Sequence, residues 1–232
     1  MSRPVLLDLF CGTGGAGEGY ARAGFRVIGV DIAAQPNYPH EFIQADAMQV
    51  LRYLAGDAEP WPGAPYPAAV HASPPCQRKS RMTNCRPGLA AAYPDLVEPV
   101  HGMLAGWGGP WIIENVEGAG LPSQDDLFGA HGVMLCGAMF GRALYRHRWF
   151  RGSFPLHAPH HPRHLLPASS AGHWRPGTII SVEGHCSPIE LAREVMDIGW
   201  CSREELAESI PPYFTEHLGA QLLDHLTVRA AA

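Results

Sequence analysis

The N-terminal segment narrows the fold more than any other part of the chain. Val5-Leu6-Leu7-Asp8-Leu9-Phe10 is an apolar run broken only by Asp8, the pattern of a strand covered on both faces. It leads into the glycine-rich turn Cys11-Gly12-Thr13-Gly14-Gly15-Ala16-Gly17, then into a predicted helix over 17–23 that Gly24 ends as a C-terminal cap. A second apolar strand, 26–32, ends at Asp31. Two strands joined through a helix in this way lie parallel, with a right-handed crossover. The alternation continues: 68–72 and 111–116 read as further central strands, with an amphipathic helix near 95–104 between them. The predicted class is α/β with a parallel sheet.

At 232 residues and 46% hydrophobic, the chain has apolar material for one such domain and a small appended lobe. The lobe shows as a change of texture, because 151–177 is rich in Pro, His and Gly and has little periodicity. A strand is predicted at 178–182. Ser187-Pro188 is expected to start a helix running to about Ile198, with the serine as cap. Ser202-x-x-Glu205 reads as a capping box, and a final helix follows Ile210-Pro211-Pro212 with Phe214, Leu218 and Leu222 at helical spacing. No apolar run approaches the roughly 20 residues of a membrane span, and Met1-Ser2-Arg3-Pro4 passes straight into a strand, so neither a span nor a secretory signal is expected. The six cysteines (11, 76, 85, 136, 186 and 201) form no CxxC pair, which suits free thiols in a reducing cytoplasm. A net charge of −5 argues against a general nucleic-acid binder. Two basic stretches still allow a local phosphate-binding face: Arg78-Lys79-Ser80-Arg81 with Arg86, and Arg142, Arg146, Arg148 and Arg151.

Three places carry chemistry. In the glycine turn, Gly12, Gly14 and Gly17 satisfy G-x-G-x-x-G, and Asp31 lies at the spacing of an acid that holds a ribose. That pattern is compatible with NAD, FAD or S-adenosylmethionine. Asp46, expected at the end of the next strand, is placed to accept from an adenine amino group. The second place is Ser73-Pro74-Pro75-Cys76-Gln77, where two prolines stiffen the backbone and present a thiol from the end of a strand. The third is Glu114 in Trp111-Ile112-Ile113-Glu114-Asn115-Val116, a carboxylate in a buried strand, which is costly unless paired or used. Burial raises its pKa, so a protonated Glu114 suits hydrogen bonding to a ring nitrogen. Arg146-His147-Arg148 lies in an extended run whose alternation puts both arginines on one face and the histidine on the other.

These motifs, in this order, resemble those of the DNA cytosine-5 methyltransferases, and the likeness runs from about residue 4 to 226. Asp8-Leu9-Phe10-Cys11-Gly12-Thr13-Gly14-Gly15 is similar to that family's methyl-donor loop, Pro75-Cys76-Gln77 to its nucleophile motif, Glu114-Asn115-Val116 to its Glu-Asn-Val motif, and Arg146-x-Arg148 to its paired arginines. Ile210-Pro211-Pro212 with the last helix resembles the closing motif beside the donor. The resemblance implies a Rossmann-like S-adenosylmethionine-dependent methyltransferase fold with a small irregular recognition lobe. It divides the chain into a catalytic domain (1–150), a target-recognition lobe (151–186) and C-terminal helices returning to the first domain (187–232). It implies catalysis by Cys76, Glu114, Arg146 and Arg148. Donor contacts are implied for Asp8, Phe10 (against the adenine), Gly12, Gly14, Gly15, Asp31, Ile32, Asp46 and Pro74. DNA or flipped-base contacts are implied for Gln77, Arg78, Arg81 and Asn115, with 78–86 as the loop that closes over the nucleotide. The donor would be S-adenosylmethionine, the partner DNA and the location the cytoplasm of a bacterial or phage-infected cell. A partner restriction endonuclease leaves no mark in the sequence.

The chain departs from the family pattern at Leu144, where a glutamine is usual, at Asp31, where several relatives carry Glu, and in its short lobe. A short lobe predicts a short or loose recognition sequence. His157, His160, His161, His164 and His173 with Arg163 suit contact with phosphate or the binding of zinc, and with no regular ligand spacing no metal is expected. Rival readings are a C5 enzyme acting on RNA or transferring another group, an amino-methyltransferase, and a catalytically silent DNA-binding relative. Ser-Pro-Pro-Cys resembles the Ser-Pro-Pro-aromatic motif of the amino-methyltransferases, but Cys76 replaces the stacking aromatic. A nicotinamide dehydrogenase fits the glycines and leaves the cysteine centre without purpose.

Overall fold

The computed structural model describes residues 2–57, 65–75, 96–116, 131–169 and 174–231. The apolar runs become the strands β1 (Val5–Leu9), β2 (Arg26–Asp31), β3 (Glu41–Gln44), β4 (Ala69–Ala72), β5 (Trp111–Asn115), β6 (His131–Leu135) and β7 (Arg148–Gly152). The helices are α1 (Gly15–Ala23), α2 (Ala47–Leu54), α3 (Val97–Trp107), α4 (Ile189–Met196), α5 (Arg203–Glu208) and α6 (Pro212–Ala231). The sheet order is β3-β2-β1-β4-β5-β7-β6. Strands β1 to β5 pair in parallel, while β7 runs antiparallel to both of its neighbours. β7 extends to Gly152, two residues past the expected lobe boundary.

Alternation along the strands splits the core into two layers. Leu6, Val27, Ala69 and Ile112 pack with Tyr20 of α1 and with Phe214, Leu218 and Leu222 of α6. Leu7, Leu9, Ile28, Val30, Val70 and Ile113 face the other way, onto Val50, Leu51 and Leu54 of α2 and Val100 and Leu104 of α3. A third cluster joins Leu144, Ile180 and Val182 to Ala192, Val195, Met196 and Leu206.

Two local expectations change. Residues 178–182 form isolated bridges, Leu144 to Ile180 and Ala168 to Ile179, in place of a strand, because their partners are short irregular segments that cannot extend a ladder. Ser187 does not cap α4: Pro188 holds the N-cap position, with no side-chain hydrogen bond. The capping box at Ser202 and Glu205 forms as read, with both reciprocal bonds made.

Candidate functional site

The order of the strands reverses between β1 and β4, and ligands of open α/β sheets bind outside the carboxyl ends of the strands at such a point. Asp8 (β1), Phe10 (after β1), Asp31 (β2), Ser73 and Pro74 (after β4) and Glu114 and Asn115 (β5) all lie toward that edge. Cys76, Gln77, Arg78 and Arg81 fall outside the described residues.

The glycines of the turn divide into two groups. Gly12 has φ of +48°, and a Cβ there would meet no atom within 4 Å, so the space beside it is open. A Cβ on Gly14 would lie 2.7 Å from Pro39 and 2.8 Å from the Tyr38 ring. One on Gly15 would lie 2.3 Å from the Ile210 carbonyl oxygen. Gly14 and Gly15 are therefore required by the protein's own packing, and Gly12 is the turn glycine left facing open space. Phe10, not a glycine, also has positive φ, +57°, a conformation that costs of order 1–3 kcal/mol and marks a site held by its surroundings.

Asp31 closes the turn. Its Oδ2 accepts from Gly12 N at 3.1 Å and its Oδ1 from Ala33 N at 3.0 Å, which leaves lone pairs on both oxygens for further donors. Beside it Ile32 is 73% exposed, the most open apolar side chain near the turn. Asp46 caps α2, its Oδ1 accepting from Met48 N at 2.9 Å. Asp8 is buried, and burial pushes its carboxyl up to about 8, against the opposing hydrogen bond from Tyr38. The Tyr38 hydroxyl donates to Oδ2 at 3.1 Å, while Oδ1 has no hydrogen-bond partner. Gly17 and Gly29 make room for Tyr38, since a Cβ on either would lie within 2.5 Å of it.

The second half of the site centres on Glu114. Its carboxyl is buried, and burial raises its pKa against the lowering effects of Arg148, Arg146 and a hydrogen bond from Ser73. In the antiparallel register Glu114 lies opposite Phe150, so Arg148 is the diagonal neighbour on the same face. Its Nε stands 3.1 Å from Glu114 Oε1. Arg146 is used differently. It is buried and donates to the carbonyls of Val182 at 2.8 Å and Ala207 at 2.7 Å, tying this run to the C-terminal segment. Burial, then the Arg148 charge, pull its pKa down to about 9, so it remains a cation at neutral pH. Two of the four arginines in the second basic stretch, Arg146 and Arg151, are thus buried and not part of a solvated face. Asn115 Nδ2 donates to the Pro74 carbonyl at 3.0 Å, which fixes the backbone two residues before Cys76 to the end of β5.

Sequence reasoning missed a buried polar chain behind Glu114. The Tyr20 hydroxyl lies 3.1 Å from His71 Nδ1, and His71 Nε2 lies 2.9 Å from the Ser73 hydroxyl. Burial pulls the His71 pKa down to about 3, so the ring is neutral. A proton on Nε2 satisfies every member: Tyr20 donates to Nδ1, Nε2–H donates to Ser73, and Ser73 donates to Glu114. The available signal was a lone histidine in the apolar run Ala69-Val70-His71-Ala72. Tyr38 carried no such signal. Of the lobe histidines, His161 and His164 come together with His147 and Cys136, their ligand atoms within 4.8 Å of one another, a grouping that their irregular linear spacing does not signal. Among the described residues, Cys11, Cys136, Cys186 and Cys201 are free and buried, and no helix is long and apolar enough to cross a membrane.

No family model matches the sequence, and no curated protein matches it either. Solved structures do. A protein named as a DNA modification methyltransferase encoded within an E. coli prophage superposes with TM-score 0.60 at 14% identity. The Entamoeba histolytica methyltransferase EhMeth gives 0.60 at 12%, and the S. pombe Dnmt2 methyltransferase 0.54 at 13%. Each match covers 97% of this chain and 99% of the other. With the seven-stranded sheet and its one antiparallel inner strand, the chain has the Rossmann-like fold of the S-adenosylmethionine-dependent methyltransferases.

Proposed function

We propose that this protein transfers a methyl group from S-adenosylmethionine to C5 of cytosine in DNA, through a covalent bond between Cys76 and C6 of a flipped base. The observation that carries the reading is the buried Glu114, paired with Arg148 at 3.1 Å and followed by Asn115, which holds the Pro74 backbone just ahead of Cys76.

Cytosine C5 is a poor nucleophile until something adds at C6. The Cys76 thiolate adds there, because a thiolate both attacks well and leaves well. Glu114, whose pKa burial raises against the pull of Arg148, shares a proton with N3 as charge develops on the ring, and Arg148 donates to O2. Asn115 holds the nucleophile loop, and Arg146 holds the strand that aims Arg148. The activated C5 would then take the donor's methyl, the sulfonium's S–CH3 bond breaking to leave a neutral thioether, and loss of the C5 proton to water would re-form the C5–C6 double bond and expel the thiolate.

The donor brings an electrophilic methyl on a sulfonium. The residues fit it: Gly12 leaves open space at the turn, Asp31 retains lone pairs for ribose hydroxyls, and Ile32 offers an exposed apolar face beside Phe10 for the adenine. Asp46 and Pro74 complete the proposed donor site, with Asp8, Gly14 and Gly15 shaping it from beneath. Gln77, Arg78 and Arg81 are assigned to DNA, and the short lobe to a short or loose recognition sequence.

The test is to incubate the protein with DNA, RNA or free nucleotides and isotopically labelled S-adenosylmethionine, then identify modified nucleosides by mass spectrometry. Labelled 5-methylcytosine in DNA is expected. Label confined to RNA, or on an exocyclic amino group, would overturn the reading.

A further inference from the structure

We propose that Cys136, His147, His161 and His164 bind one zinc-class divalent ion that ties the lobe to the antiparallel edge of the sheet. One ligand atom from each residue lies within 4.8 Å of the other three. The four come from three segments: Cys136 follows β6, His147 precedes β7, and His161-Pro162-Arg163-His164 supplies a pair from the lobe. Cys136 Sγ already stands 3.4 Å from His164 Nε2. Tetrahedral zinc, with bonds of about 2.3 Å to sulfur and 2.0–2.1 Å to nitrogen, sets donor–donor edges near 3.3–3.6 Å. One edge is therefore in place, and the others need to shorten by at most roughly 1.5 Å, within the reach of side-chain rotation.

A second observation points the same way. His161 Nε2 is buried with no hydrogen-bond partner, a costly state for an imidazole nitrogen that coordination would relieve. The donor set itself selects the ion: three imidazoles and a thiol with no carboxylate suit zinc and disfavour magnesium or calcium. The rings are held for the purpose, with Tyr145 stacked on His164 at 3.6 Å between centroids.

Four protein ligands fill a tetrahedral shell, so the ion would be structural. It would grip His147, which stands between Arg146 and Arg148 in the chain. The metal would thus fix the run that aims Arg148 at Glu114. The inference stands apart from the choice of substrate.

The test uses the full-length protein, stripped with chelator, desalted and titrated with Zn2+ or Co2+. We expect one ion per chain by elemental analysis, and for Co2+ the visible bands of a tetrahedral ion with a thiolate charge-transfer band. His161→Ala with His164→Ala should lose the ion and the bands, and the rise in Tm on adding Zn2+ should vanish with them. Cys136→Ser should lose the charge-transfer band, whereas His160→Ala, at an exposed neighbouring ring, should keep everything. The wild-type Co2+ spectrum needs no variant to fold. Sub-stoichiometric binding in wild type, a spectrum without tetrahedral bands, or equal binding by the double variant would each overturn the proposal.

Discussion

The glycine turn after β1 and the β5–β7 edge are the two halves of the proposed site, and they are built in opposite ways. At the turn the backbone sets the geometry. Gly12 and Gly14 take positive φ, Asp31 binds backbone amides, and the C-terminal segment closes over α1, with Thr215 donating to the Ala16 carbonyl and Trp200 to that of Thr13. At the β5–β7 edge, polar side chains from distant segments meet: buried Glu114 and Arg146, half-buried Arg148 and, behind them, the neutral ring of His71. Damage at the turn should therefore appear first as lost stability or donor affinity. Damage at the edge should appear as lost turnover in a folded protein.

The largest effect is expected at the edge. Glu114→Gln keeps the size and an acceptor for Arg148 but removes the acidic proton. It should lower kcat by about 10²–10⁴-fold, with donor affinity by calorimetry and Tm little changed. Loss of donor binding in this variant would erase the distinction between the two regions. Next comes Gly19→Ala, whose Cβ would lie 2.1 Å from the Pro212 carbonyl oxygen. Backbone cannot give way easily, so urea unfolding should show a loss of about 3 kcal/mol or more. Wild-type stability would indicate that α6 does not clamp α1 as described.

A pH profile separates the buried acid of the turn from the buried base of the edge. Asp8 is raised from 3.8 to about 8, so between those values the folded chain holds a proton that the unfolded chain has released. Stability therefore falls as pH rises from about 4 to 8. His71 is lowered from 6.5 to about 3, so the unfolded chain takes up a proton first and stability falls as pH drops below 6.5. The two slopes oppose each other between about 4 and 6.5, and only that of Asp8 remains up to 8. Asp8→Asn should gain on wild type with rising pH, by up to about 1.4 kcal/mol per unit. A constant offset between the two Tm profiles would mean that Asp8 is ionised in the folded protein.

The smallest effect is expected for Gly12→Ala. Its Cβ enters open space, so the loss is the roughly 1–2 kcal/mol of a left-handed alanine. Donor affinity should weaken nonetheless, because that open space is where we place the donor. Unchanged affinity would move the donor site away from Gly12.

The same contrast governs what could be read from the sequence. β1, the turn, α1 and β2 were legible because every signal in them is local: apolar runs, clustered glycines, and Gly24 as a cap at φ +119°. Glu114 was legible as an anomaly, a charge in an apolar strand. Its partner was not legible, because alternation puts Arg146 and Arg148 on one face and only the cross-strand register of β5 and β7 brings Arg148 to Glu114. What the glycines serve was not legible, since Tyr38 and the carbonyls of Ile210 and Pro212 that press on them lie far away in the chain. The His71 chain was hidden because one histidine gives no hint of partners on α1 and β5. The Cys136–His164 group was hidden because three segments bring its members together, and no linear spacing records that meeting.

The central claim is that Cys76 becomes covalently bound to C6 of cytosine in DNA. The most direct measurement is to incubate the protein with S-adenosylmethionine and duplex DNA in which 5-fluorocytosine replaces cytosine, then separate products under denaturing conditions. Fluorine at C5 blocks the final elimination, so wild type should form a protein–DNA adduct that maps to Cys76, and Cys76→Ser should form none. Efficient methylation of ordinary DNA with no adduct on the fluorinated duplex, or an adduct that persists in Cys76→Ser, would contradict the account.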